Sequence, residues 1–135
     1  MQVITAEKVA ATFGPDDKFT GTAWIMVMLK SPIGVNVYSV FFEPKARTAW
    51  HSHPGGQILL VTSGKGRVVR FDDTGVHAFE IRPGDTVHIA PNEKHWHGAA
   101  PDNFLTHIAI TPHSGGKSTD WMQKVGDDEY NQPVT

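Results

Sequence analysis

Turn-forming residues cut this chain at short, regular intervals, and that punctuation leaves it little choice but many short strands. In Arg82-Pro83-Gly84-Asp85, proline fixes φ and glycine accepts positive φ, the pattern of a type II turn. Asp72-Asp73-Thr74-Gly75 and Ser63-Gly64-Lys65-Gly66 read as two further tight turns. Between the turns lie runs rich in β-branched and aromatic residues. They predict strands at 21–30, 34–42, 57–62, 66–72, 76–81, 86–90 and 105–111. Short strands spaced by roughly 8–12 residues indicate an all-β sandwich or barrel. Short helices are expected near 7–12 and at 119–125. The second would start from Ser118 or Thr119 as N-cap and pack Trp121, Met122 and Val125 on the barrel. No repeat or linker interrupts the chain, so residues 1–135 are expected to form a single domain with its barrel core at about 20–112.

Composition removes several classes of function. A formal net charge of −2, with charges scattered along the chain, provides no basic stripe for nucleic acid. Cysteine is absent, which excludes disulfides and thiolate metal sites. No run approaches the roughly 18 apolar residues of a membrane span. The start, Met1-Gln2-Val3-Ile4-Thr5-Ala6-Glu7-Lys8, lacks a basic segment followed by an apolar one. A cytoplasmic protein is therefore the expectation.

The chemistry is concentrated in two histidine clusters. The first is Trp50-His51-Ser52-His53-Pro54-Gly55-Gly56-Gln57, the second Glu93-Lys94-His95-Trp96-His97. Extended chain turns alternate side chains to one face, so His51 and His53 share a face, as do His95 and His97. Two distant strands could then aim imidazoles at one point. Neutral imidazole is the commonest protein metal ligand. Trp50 and Trp96 alternate with these histidines and should pack on the opposite face. Trp24 and Trp121 read as core. His107 shares parity with Leu105 and Ala109, so it should face the interior, where it could act as a general base. His97 could carry protons beside the ligands or serve as a structural hydrogen-bonding group. His77, His88 and His113 read as surface or packing positions.

The spacing His51-x-His53-x3-Gln57-x6-Gly64, followed by Pro83-Gly84-Asp85 and by His95 eleven residues after Gly84, resembles the two motifs of the cupin superfamily. The resemblance implies a double-stranded β-helix, or jelly-roll, barrel. It also implies one divalent metal ion held by His51, His53, Gln57 and His95. Lys45 stands where the first motif usually begins with glycine, and Ala99 replaces a late asparagine; neither is a ligand. Gln57 stands where most cupins carry glutamate. An amide is a neutral donor, so this cage leaves the full charge of a divalent ion uncompensated. Such a centre favours anionic ligands.

A closer likeness runs from about Phe19 to Tyr130. Its blocks include Phe42-Glu43-Pro44, Arg47-Thr48-Ala49-Trp50-His51-Ser52-His53-Pro54, Glu93-Lys94-His95-Trp96-His97-Gly98-Ala99-Ala100-Pro101 and Asp120-Trp121-Met122. They resemble small bacterial single-domain cupins that include the manganese-dependent hydroxynitrile lyases, in which Gln57 would be a family feature. The resemblance implies a lyase acting on a small oxygenated substrate, with cyanohydrin cleavage as its example and His107 as proton carrier. Manganese is the favoured metal; iron, cobalt, nickel and zinc also suit mixed nitrogen and oxygen ligation. Tyr38 occupies a position where those lyases carry a small residue, so it would narrow the pocket or supply a phenol. Two other readings stand beside the lyase: a cupin dioxygenase acting on an enol or dihydroxy aromatic, and a non-enzymatic metal- or ligand-binding module. Small cupins commonly pair N-terminal strands, and 22–30 is apolar on both faces, so a homodimer or higher homo-oligomer is expected.

Overall fold

The computed structural model describes residues 1–135. Its strands are β1 (Ala11–Phe13), β2 (Phe19–Thr20), β3 (Ala23–Lys30), β4 (Gly34–Phe42), β5 (Arg47–Thr48), β6 (His51–Ser52), β7 (Gln57–Gly64), β8 (Gly66–Asp72), β9 (Gly75–Ile81), β10 (Thr86–Ile89), β11 (Lys94–Ala99), β12 (Leu105–His113) and β13 (Asp120–Trp121). One antiparallel sheet runs β1-β3-β4-β12-β7-β10. The second centres on β11, which pairs along its whole length with β8 on one side and with the short β5 and β6 on the other. β9, β2 and β13 complete it. All seven expected strands are present, with ends shifted by no more than two residues. β1, β2, β5, β6, β11 and β13 are additional; most span only two or three residues, too short for a two-residue period to show.

The helical turns are shorter than the sequence predicts, and the C-terminal one lies elsewhere. Residues 119–125 form no helix. Trp121 pairs with His51, and main-chain bonds link Met122 N to Trp50 O and Trp50 N to Gln123 O. These ladder bonds satisfy the backbone that a helix would have satisfied internally. The C-terminal helix α1 is one turn, Asp127–Tyr130, in which the Glu129 carboxylate accepts from the Gly126 N–H. At the other end a single 3-10 turn covers Ala6–Lys8 before β1 begins.

The interior between the sheets is lined by Phe19, Ala23, Val40, Phe42, Val61, Val68 and Leu105. A second cluster forms on the outer side of β11, where Trp50 and Trp96 pack with Val69, Ala78, Val125 and Tyr130. The two tryptophans thus do face away from the histidines, as alternation requires. The C-terminal segment covers them. Arg47 donates from Nε and Nη2 to Val125 O, Tyr130 Oη donates to Ala99 O, and Trp50 Nε1 donates to Glu129. Trp24 is half-buried and packs against Phe13, ring centroids 4.0 Å apart, rather than entering the core. Met26, Val27, Met28 and Ile33 leave an apolar surface exposed along and beside β3.

Gly64 ends β7 at φ 83°, and a Cβ there would meet the Phe104 carbonyl oxygen at 1.9 Å. Neither the backbone nor the neighbour can yield cheaply. Gly64→Ala is therefore expected to destabilise the domain by about 3 kcal/mol or more, combining left-handed strain with a main-chain clash. Thermal or urea unfolding checks it, and a loss below about 1 kcal/mol would contradict the close approach.

Candidate metal centre

β6 and β11 bring the two histidine clusters face to face, with His51 directly opposite His95. His53 lies on the turn leaving β6, and Gln57 begins β7 in the other sheet. All four side chains are buried. The ring centroids of His51 and His95 are 4.1 Å apart, those of His51 and His53 5.0 Å, and those of His53 and His95 5.3 Å.

Hydrogen bonding determines which nitrogen each ring presents. Nδ1 of His51 lies 2.9 Å from Ala49 O, Nδ1 of His53 2.9 Å from Ser118 O, and Nδ1 of His95 2.8 Å from Glu93 O. A carbonyl can only accept, so each Nδ1 carries the proton and each Nε2 is left with a free lone pair. Nε2 of His53 and of His95 is buried with no hydrogen-bond partner. The Gln57 amide is held likewise. Its Nε2 donates to Thr111 Oγ1 at 3.0 Å, while its Oε1 is buried and unpartnered. Bare acceptors in a dry interior are costly. A cation at their centre would satisfy them together, so the donor set fits a divalent metal ion.

His97 comes closer to this cluster than the sequence implies. Its ring nitrogen lies with those of His51 and His95, all within 4.8 Å of one another, so these three histidines could hold a metal ion as a triad. Its Nδ1 meets Nε2 of His107 at 3.0 Å, deep in the barrel. One proton is shared across that contact. Whichever ring donates it, one outward nitrogen of the pair is left bare. Neither Nε2 of His97 nor Nδ1 of His107 has another partner. No carbonyl fixes the tautomer of His97, which sets it apart from His51, His53 and His95. His107 is aimed inward beside an irregularity in the β12–β7 ladder between Thr106 and His107, the kind of kink that redirects a side chain.

Burial keeps these rings neutral. It pushes His95 down to about 3 and His107 down to about 4, and holds His51 and His97 well below the ordinary histidine range. Repulsion from neighbouring imidazoles adds to the effect on His51 and His97. His53, also buried, is lowered as well. Ligation requires the neutral ring, so the barrel prepares these groups for a cation before one arrives.

The donors open onto a cavity of about 260 Å³. His51, His53, Gln57, His97 and His107 line its inner end; Ile25, Val40, Phe42 and Ala109 form apolar walls. That volume is at or below the small end of the roughly 300–1,000 Å³ common for ligand sites. Tyr38 also lines it, half-buried, and burial raises its phenol above the usual value. The phenol is thus a neutral group that narrows the cavity. His95 does not line this cavity, and a smaller one of about 100 Å³, lined by Arg70, His88 and Glu93, touches it instead. Trp121, expected in the core, instead lines the cavity with its ring 4.7 Å from that of His51, and is 38% exposed. Thr111, Thr119 and Lys18 also belong to this site, as does the Ser118 carbonyl. None carries a local sequence signal, because each acts through a contact with a distant residue.

Residues 38–107 match the family model of the cupin domain, and with the barrel and histidine cluster described above the chain belongs to the cupin family. It is similar to the (R)-mandelonitrile lyase of Granulicella tundricola, 46% identical over 98% of this chain and 100% of that protein. It is also similar to the crystal structure of a cupin-like protein from Thermotoga maritima, with 43% identity, coverage of 91% of this chain and 92% of that one, and a TM-score of 0.83. The polyketide cyclase RemF of Streptomyces resistomycificus shares the fold at 16% identity, covering 96% of this chain and 90% of that one, with a TM-score of 0.72.

Proposed function

We propose that this cupin is a metal-dependent lyase that cleaves a small cyanohydrin into a carbonyl compound and hydrogen cyanide. The observation that carries the reading is the convergence of carbonyl-pinned imidazoles and one oriented amide on the floor of a small apolar cavity, beside a buried histidine pair. Full-length similarity to a mandelonitrile lyase supports the substrate class. His51, His53, Gln57 and His95 are the proposed ligands, because their free donor atoms are fixed by fixed partners. His97 is assigned to the proton path, because its Nδ1 is engaged by His107. A divalent ion held there, manganese before iron, cobalt, nickel or zinc, would supply Lewis acidity toward the substrate hydroxyl oxygen.

The remaining chemistry belongs to the chain. The His97–His107 pair accepts the hydroxyl proton through a bare ring nitrogen. The bond between the carbinol and nitrile carbons breaks, and its electron pair leaves on cyanide. The proton then returns to cyanide, giving hydrogen cyanide and the aldehyde. Because both rings are neutral at physiological pH, the pair begins as a base without first losing a proton. Val40, Phe42 and Ala109 keep the cavity apolar and disfavour water.

Release of benzaldehyde from mandelonitrile, followed by absorbance on protein reconstituted with each metal in turn, tests the reading. Absence of turnover with all of them would reject it. His107→Ala is expected to lower kcat by about 10²–10⁴-fold, the range for loss of a general base, while bound metal stays at the wild-type level. Unchanged turnover would remove His107 from the mechanism. The proposal extends to a homodimer that covers the exposed apolar surface around β3, for which a monomer by sedimentation at micromolar concentration would be contrary evidence.

A further inference from the structure

One charge in the cavity has no part in the chemistry above. Of the side chains that line it, Lys18 alone is charged while the histidines are neutral, and no carboxylate joins them. Lys18 is half-buried, makes no ion pair, and places Nζ 5.6 Å from the centre of the Trp121 ring. Trp121 in turn lies against His51. Lys18, Trp121 and the exposed Pro15 thus form the outer end of the space whose inner end holds the ligand cluster. Asp120 acts on His53 and is itself paired with Lys117 at 2.9 Å. Asp16 and Asp17, in the same turn as Lys18, are exposed and are not among the residues that line the cavity.

The lysine is half-buried, and its ammonium lies over an aromatic ring without a counter-ion. Its attraction for a negative charge in the apolar cavity is stronger than at an open surface. The ligand set is neutral, so nothing else in the lining cancels that field. We infer that Lys18 is a specificity-determining residue that adds a second positive charge to that of the bound ion in this cavity. It draws the departing cyanide outward once the carbon–carbon bond breaks, and it strengthens the preference for small aryl anions, 2-hydroxy carboxylates in particular, over neutral alcohols of the same shape. The cyanide half of this inference rests on the lyase reading; the anion selectivity does not. In cleavage the bonding electron pair moves onto the nitrile carbon, so negative charge develops where a 2-hydroxy carboxylate carries its carboxylate. Such an anion is a charged mimic of the departing group, and a cation placed for one serves the other.

The test compares mandelate with benzyl alcohol, which keeps the ring and hydroxyl but carries no charge. Binding is measured by calorimetry at low ionic strength on manganese-loaded wild type, Lys18→Met and Lys18→Arg. Mandelate should bind Lys18→Met about three- to fivefold more weakly than wild type, the scale of a partly exposed ion pair. Lys18→Arg should retain most of the affinity, and benzyl alcohol should not distinguish the three proteins. Added salt should erode the wild-type preference for mandelate. Equal mandelate affinity in wild type and Lys18→Met would overturn the inference. So would an equal loss for both ligands, or no mandelate binding to the wild type. In turnover, Lys18→Met should lower kcat for mandelonitrile with little change in KM, a split that a merely structural role would not give. If the wild type fails to cleave mandelonitrile, the lyase reading falls while the mandelate series still decides the role of Lys18.

Discussion

Replacing His95 with alanine is expected to leave a folded protein that no longer retains a stoichiometric metal ion and no longer turns over. His95 contributes a buried Nε2 with no other partner, and its Nδ1 is fixed by Glu93 O. Its loss removes both a proposed ligand and the imidazole opposite His51. Loss of an outer hydrogen-bond partner alone costs roughly 10–100-fold in metal affinity, so loss of a direct ligand should exceed that range. Metal analysis after dialysis, beside unfolding curves for both proteins, checks the outcome. Equimolar metal in His95→Ala would show that the ion sits elsewhere. The contrasting change is Gln57→Glu. A carboxylate would offset part of the ion's charge and should tighten binding, while weakening the Lewis acidity available to substrate.

Acid is expected to destabilise the metal-free protein steeply below pH 6.5. The sign follows from the direction of the shifts. Burial lowers the folded-state values of His95 and His107 to about 3 and about 4, while the unfolded chain titrates near the ordinary 6.5. Above 6.5 both states hold neutral rings, and stability does not depend on these groups. Below it the unfolded state takes up protons that the folded state refuses, so stability falls with pH. By pH 4 each of the two groups costs about 3 kcal/mol, at about 1.4 kcal/mol per pH unit. These costs interact and should not be added in full, but even one is a large share of the roughly 5–15 kcal/mol that holds a domain together. Bound metal should move the transition to lower pH, since it binds only the neutral rings. Unfolding midpoints measured from pH 8 to 4 with and without metal test this. A flat profile in the metal-free protein would mean that the rings are hydrated rather than buried.

Much of the fold can be read from the sequence because its information is local. A two-residue alternation between turn residues identifies β4, β7, β8, β9 and β12 almost to the residue. The same alternation separates Trp50 and Trp96 from the histidines beside them. It fails where an element exists only through its partner. β6 has two residues, and the apolar spacing of Trp121, Met122 and Val125 suits a helix until the edge of β6 captures that segment as β13. The types of the proposed ligands and their parity are equally local. The orientation of Gln57 by Thr111, fifty-four residues away, is not.

The sequence by itself determined the barrel, the buried side of each histidine cluster and the kind of atoms offered to a metal, because strand periodicity and turn chemistry act between near neighbours. Tertiary structure alone decided that His51 would face His95, that His97 would engage His107, and that the Ser118 carbonyl would fix His53. It also brought Lys18 and Trp121 to the outer end of the cavity. Each of these contacts joins chain segments whose approach depends on how strands pair and how the C-terminal segment closes over β6. No local periodicity encodes that pairing.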